Sequence, residues 1–239
     1  TLDVNAALAS GEYIRAPAGL LLTEGALVGG DRLKFTGAGA GRSIIKKPPG
    51  STTHLLDLIG TTVKRNVHID GFTMDVNGGD AGIVMEYVED SLFQNLKILN
   101  NPYWGINMGA LDAGSGTIVN KRNTFRNLFF NNTTLSYEHF LIFRSEDILI
   151  DRLYASTGAD GIGIGIYENS DRITIQHALI EMIKTAIYYS LSCRAIKILD
   201  SVIRGTDSGI QGANLADNGA FGSRYAENLE IHRTRFFGN

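Results

Sequence analysis

Val67-His68-Ile69-Asp70-Gly71-Phe72-Thr73-Met74-Asp75, followed by Gly82-Ile83-Val84-Met85, is the stretch that decides the fold. Apolar residues fall at 67, 69, 72 and 74, alternating with polar ones and slipping phase over Asp70-Gly71, and the run Ile83-Val84-Met85 follows. A period of two describes a short strand with one buried face, and runs this brief, punctuated by Gly, Asp and Asn, do not make amphipathic helices. The unit then recurs along the chain. Its first part returns as Phe93/Leu96/Ile98, Phe125/Leu128/Phe130, Ile148/Ile150/Leu153, Ile173/Ile175/Ala178/Ile180, Ile196/Ile198/Ile203 and Leu229/Ile231/Phe236. The second part returns as Gly105-Ile106-Asn107-Met108, His139-Phe140-Leu141-Ile142, Gly163-Ile164-Gly165-Ile166, Ala186-Ile187-Tyr188-Tyr189 and Gly209-Ile210-Gln211.

Measured at Ile69, Phe93, Phe125, Ile150, Ile175, Ile198 and Ile231, the steps are 24, 32, 25, 25, 23 and 33 residues. Four steps lie near 24. The two long ones carry their extra residues after the second strand, in 109–121 and 212–227, where loops could wall one side of a groove. A repeat of about 24 residues with three short strands cannot bury its apolar face alone, but stacked turns form three parallel sheets around one continuous core. The sequence therefore predicts an all-β parallel β-helix. Residues 1–31 are expected to form a cap and a first irregular coil, with a short helix around Val4–Leu8 and an irregular strand from Tyr13 to Leu22. Residues 32–239 then form the β-helix, which ends within a repeat as a fragment of a longer protein would.

Composition narrows the function. Twenty-two basic against 25 acidic residues leave a net charge of −3, which gives no electrostatic footprint for nucleic acid. An apolar content of 44% with 20% charged is globular, and no apolar run is long enough to span a bilayer. Cys193 is the single cysteine, so an internal disulfide framework is excluded and the side chain is expected to pack inside. The 28 glycines against 4 prolines, scattered among β-branched runs, serve turns. Gly37-Ala38-Gly39-Ala40-Gly41 lacks the Lys-Ser/Thr of a phosphate loop and reads as a coil turn. His54, His68, His177 and His232 show no metal-ligand spacing. No cofactor or structural metal is expected, with a Ca²⁺ in a groove left open.

The serial V-x-I and G-I-x-x units, together with Leu33-Lys34-Phe35-Thr36-Gly37-Ala38-Gly39 and Ser43-Ile44-Ile45, resemble the right-handed parallel β-helix superfamily of pectate lyases, polygalacturonases, mannuronan epimerases and phage tailspikes. The resemblance covers residues 32–239 and makes the G-I strand the first sheet, V-x-I the second, and the strand after Asn95 or Asn127 the third. It implies a polysaccharide partner lying along the first sheet, and an extracellular, cell-surface or virion location. A tailspike origin further implies a homotrimer.

Equivalent positions on stacked turns form columns about 4.8 Å apart. The column just before each G-I strand reads Asp80, Tyr103-Trp104, Glu138-His139, Asp160, Lys184 and Asp207. Glu138, His139 and Asp160 are the catalytic candidates, because neighbouring carboxylates split into acid and base and an imidazole moves protons near neutral pH. Asp160 also resembles, through Asp160-Gly161-Ile162, a catalytic acid of polygalacturonases, although that family's G-D-D-C, G-H-G and R-I-K elements and the epimerase D-P-H-E motif are absent. Its competing role is a turn residue before glycine. Tyr103 and Trp104 would supply a platform for a sugar ring, and Lys184 would neutralise a sugar carboxylate. Asn107, Tyr188, Gln211, Asp207 and Glu86 complete the expected binding face. The outward residues of the G-I strands are read as Val84, Glu86, Asn107, Leu141, Gly163, Gly165, Tyr188 and Gln211, too mixed for the repeated threonines of an ice-binding face.

Two functions follow. One is a hydrolase or lyase acting on a long acidic or neutral polysaccharide. Hydrolysis would use Asp160 and Glu138 as an acid/base pair, whereas elimination would use His139 as base with Lys184 beside the substrate carboxylate. The other is a non-catalytic glycan-binding or structural module of a phage tailspike or surface adhesin.

Overall fold

The structure is a computed structural model that describes residues 4–11, 13–109, 119–132, 137–157, 161–190, 192–212 and 227–238. It is a parallel β-helix. Eight strands stack as the first sheet: Leu27–Val28, Leu56–Leu58, Ala81–Met85, Trp104–Met108, Glu138–Phe143, Ile162–Tyr167, Thr185–Tyr189 and Ser208–Gly212. The second and third sheets are joined. In the middle coils one strand carries both, as in His68–Asp75, Leu92–Leu99, Thr124–Asn132 and Ser145–Thr157. Later coils divide them, as in Asp171–Gln176 and Leu179–Glu181. The pairing is parallel and in register from coil to coil, with Ile69 opposite Phe93, Phe93 opposite Phe125, and so on to Ile198 opposite Ile231.

That column fixes the shape of each coil. Three residues before it, Arg32, Asn66, Asp90, Arg122, Asp147, Arg172, Ala195 and Asn228 all have φ between 50° and 63°. Two residues after it, Asn95, Asn127, Arg152, His177, Asp200 and Arg233 have φ between 48° and 60°, with Gly71 at 77°. One left-handed residue at each corner turns the strand direction while leaving the ladder in register, and Asn and Asp recur because they tolerate that region better than other side chains.

Aromatic rings stack within the largely aliphatic interior. Phe72, Phe93, Phe125, Phe130 and Phe140 are fully buried. Phe93 stacks on Phe125 at 5.0 Å, and Phe140 meets Phe125 edge-on at 4.7 Å. Cys193 packs in the same core. The helix Val4–Ala9 leans on Leu27–Val28, burying Leu8, and the amide of Gly30 donates to the Leu8 carbonyl at 2.9 Å. A β-carbon at Gly30 would stand 2.1 Å from the Ala9 carbonyl oxygen, so the helix can dock only against glycine there.

Between Tyr13 and Leu22 the first coil carries two short strands separated by residues 16–18. Tyr13–Arg15 pairs with Lys34–Thr36, and Gly19–Leu22 pairs with Ser43–Lys46. Beneath it Lys47 is fully buried, donating to the Glu24 and Gly25 carbonyls at 3.1 and 2.7 Å and to Thr53 Oγ1 at 2.8 Å. Three oxygens satisfy its three protons, although burial still pushes the ammonium's pKa down.

Candidate functional site

Strand register assembles the outer face of the first sheet row by row. The first row runs Ala81, Trp104, Glu138, Ile162, Thr185, Ser208, and a second, three residues further on, runs Asp57, Val84, Asn107, Leu141, Gly165, Tyr188, Gln211. Glu138 lies at the centre. Its carboxylate accepts the Trp104 indole N–H at 2.9 Å on one oxygen and the Tyr167 hydroxyl at 2.5 Å on the other. Those two donors favour the charged form, but the residue is only 6% exposed and burial outweighs them, so its pKa is raised. The phenol of Tyr167 is pushed up in turn by burial and by Glu138.

Gly165 explains how Tyr167 reaches back. A β-carbon at 165 would lie 2.5 Å from the Tyr167 ring and 2.9 Å from Glu138 Cγ, so the bare backbone leaves the channel through which the phenol crosses. Tyr188, on the next coil, packs against Tyr167 with centroids 5.3 Å apart. On the other side of Glu138, Tyr103, Trp104 and Tyr137 form a triangle with centroid separations of 6.0, 5.5 and 5.5 Å. Tyr103 and Tyr137 are 41% and 49% exposed, which makes this triangle an aromatic surface open to solvent.

The structure sorts the residues expected from sequence. It brings together Tyr103, Trp104, Glu138 and Tyr188. Asn107 and Glu86 are buried, at 3% and 9% exposure, so neither offers an open binding surface. Gln211, Lys184 and Asp207 are exposed further along the sheet, and Gln211 accepts the Thr185 hydroxyl at 3.4 Å. Asp160 lies outside the described residues, as do most residues of the two long insertions. Gly163 faces inward, since a β-carbon there would meet Ile180 Cγ2 at 3.0 Å.

His139 is a correction. Its row, Gly82, Gly105, His139, Gly163, Ala186, Gly209, marks the inner corner where the third sheet's side chains crowd the first. A β-carbon at Gly105 would meet the Phe130 ring at 2.5 Å. The imidazole therefore turns into the core and stacks on Phe130 at 5.4 Å with no exposed area. No partner meets either ring nitrogen in good hydrogen-bond geometry, and burial lowers its pKa to about 3, against which the nearby Ser156 backbone pulls only weakly. A ring placed there cannot take a proton from a sugar on the outer face.

Tyr137 and Tyr167 were not anticipated. Tyr137 shares a column with Tyr103, and Tyr167 follows Gly165 by two, on the same face, so both signals were present. Elsewhere on the sheet His54 sits between Asp57 at 3.7 Å and Asp80 at 3.6 Å, and the Asp57 contact is the first cause of its raised pKa. Among the described residues no three His, Cys, Asp or Glu side chains are arranged to hold a metal ion. Among the described residues no helix is long and apolar enough to cross a membrane.

Fold and register place the chain among the parallel β-helix proteins. No family model matches it and no curated protein matches its sequence. Among solved structures it is similar to the N-terminal fragment of bacteriophage phi29 gene product 12, with a TM-score of 0.78 at 15% identity over 97% of this chain. The chain spans 44% of that fragment. It is also similar to the mannuronan C-5 epimerase AlgE4 A-module of Azotobacter vinelandii, with a TM-score of 0.64 and 13% identity over 97% of this chain and 71% of that one. The endo-xylogalacturonan hydrolase of Aspergillus tubingensis gives a TM-score of 0.54 and 12% identity over 94% of this chain and 70% of that one. At these identities the likeness is one of fold.

Proposed function

We propose that the chain binds a glycan on the outer face of its first sheet, across the aromatic arc formed by Tyr103, Trp104 and Tyr137 on one side of Glu138 and Tyr167 and Tyr188 on the other. The observation that carries this reading is the solvent-open triangle whose indole is pinned edge-on by a buried carboxyl group. Flat, rigid rings lose little conformational entropy on binding and offer large apolar faces to the C–H side of a pyranose. Coils spaced by about 4.8 Å are close to the length of one sugar residue, so an arc over four coils suits an oligosaccharide lying along the axis.

The reading is tested by affinity electrophoresis of the purified chain in gels containing single polysaccharides. Trp104→Ala and Tyr137→Ala are expected to weaken retardation by about tenfold or more, the effect of losing a contact of at least ~1.4 kcal/mol. Unchanged retardation in both variants overturns it.

The second reading is glycoside hydrolysis, favoured by Glu138, a carboxyl group whose pKa is raised as a general acid requires. Asp160 is the proposed second carboxylate. New reducing ends without unsaturated uronic ends, lost in Glu138→Gln while retardation persists, would establish it. The eliminative route through His139 is not retained.

A further inference from the structure

The charges around the arc are distributed in a way that bears on which glycan it takes. No lysine or arginine occurs in residues 98–120, 127–143 or 153–171, the three stretches that build the coils carrying Trp104, Glu138 and Tyr167. Those stretches contain only acidic ionisable carboxylates: Asp112, Glu138, Asp160, Glu168 and Asp171. The arginines that flank them are held in ion pairs. Arg122 is held by Asp90 at 2.6 Å, Arg126 and Arg152 by Asp151 at 3.3 and 3.1 Å, Arg144 by Glu168 at 2.7 Å, and Arg172 by Asp147 at 2.6 Å. Lys184 is the next cation along the sheet, exposed on the Tyr188 coil at the far end of the arc. It precedes Thr185, which lies two strand spacings, about 10 Å, beyond Glu138.

Between the two groups of rings the partly exposed neighbour of Glu138 is the apolar Ile162. A uronate residue on this face would leave its carboxylate desolvated beside Glu138 without an opposite charge or a fork of donors, which is costly.

We infer that the three coils of the arc carrying Trp104, Glu138 and Tyr167 take uncharged sugar residues, and that a polyuronate, with a carboxylate on every residue, is excluded from them. This rests on the glycan-binding reading above and names its substrate class. The aromatic faces take the sugar's C–H side, while hydroxyl groups at the rim exchange hydrogen bonds with water, Tyr103, Tyr137 and Tyr188.

The experiment uses matched polymers that differ only in charge: polygalacturonate and alginate against their carboxyl-reduced, neutral forms, together with galactan, xylan, mannan and β-glucan as further neutral probes. Each is run with the full chain in affinity gels, with and without Ca²⁺, at ionic strengths from about 50 mM to about 500 mM, a range over which surface charge attraction is largely screened. The expected result is retardation by one or more neutral polymers, unchanged across that salt range and lost in Trp104→Ala, with none by the polyuronates. Retardation by polygalacturonate or alginate that exceeds that of its neutral form, in either Ca²⁺ condition, overturns the inference while leaving the arc as a binding site. Retardation by neutral polymers that survives in Trp104→Ala, or by nothing in the panel, overturns the binding reading itself and the inference with it.

Discussion

Acidification should destabilise this protein through one residue, His139. The ring is fully buried against Phe130, has no partner in good hydrogen-bond geometry on either nitrogen, and has its pKa lowered from 6.5 to about 3. The native state therefore holds the neutral imidazole, whereas the unfolded chain takes up a proton as pH falls below about 6.5. A depressed histidine pKa makes stability complete above that value and erodes it on the way down, until the native ring itself protonates near pH 3. Each pH unit in the window costs about 1.4 kcal/mol, so the loss is about 2 kcal/mol between pH 7 and pH 5 and about 4 kcal/mol by pH 3. His139→Leu removes the titration and both buried nitrogens.

Urea unfolding of wild type and variant should be compared at pH 7, 6 and 5. The difference between the two proteins isolates His139 from the carboxylates, several of which titrate in the same direction at lower pH. The wild type should lose about 2 kcal/mol relative to His139→Leu between pH 7 and pH 5. Parallel pH dependence in the two proteins, or an imidazole NMR resonance from His139 that titrates near pH 6.5 in the native state, refutes the reasoning.

Three other outcomes are expected. Gly165→Ala places a methyl group against Tyr167 and Glu138, and should lower stability by about 1–3 kcal/mol, read as a fall in Tm, and shift Trp104 fluorescence as the indole's acceptor moves. Tyr167→Phe withdraws one of the two donors that favour ionised Glu138, so the carboxyl pKa should rise further; a fluorescence titration of Trp104 should show its midpoint move to higher pH, and an unmoved midpoint contradicts the hydrogen bond. Ala195 occupies a left-handed corner, φ 50°, where other coils use Asn66, Asp90 and Asn228; Ala195→Gly should raise stability by about 1 kcal/mol and Tm with it, because the β-carbon clash at that φ is relieved.

The fold was legible because a β-helix repeats its reasons. The column from Ile69 to Ile231 is apolar in every coil, the residue two further on is Gly, Asn, Arg, His or Asp at a corner, and the period survives insertions that fall between strands. The site was legible only in part. Tyr103, Trp104 and Glu138 stand out because they break the repeat, and they do converge. His139 breaks it equally, yet points the other way. Small residues at 82, 105, 163, 186 and 209 can mean either room outside for a ligand or crowding inside, and only the packing of Ile98, Phe130 and Ile180 shows that it is crowding. Tyr167 escaped notice because its role depends on Gly165 being empty, a relation between two positions rather than a property of one.

The corner column Asp90, Arg122, Asp147, Arg172 alternates in sign, with Arg122 bonded back to Asp90 and Arg172 back to Asp147. In-register stacking makes that alternation a counting rule for building or trimming the protein. Excising the single coil that carries Asp147 would set Arg122 directly against Arg172 with one carboxylate gone between them, while excising the two coils that carry Arg122 and Asp147 together would deliver Asp90 to Arg172 and restore the pairing. Growth by copying one coil meets the same obstacle, since a duplicate of any charged corner lands on its own kind. Along this stretch the workable unit of deletion or duplication is a pair of coils.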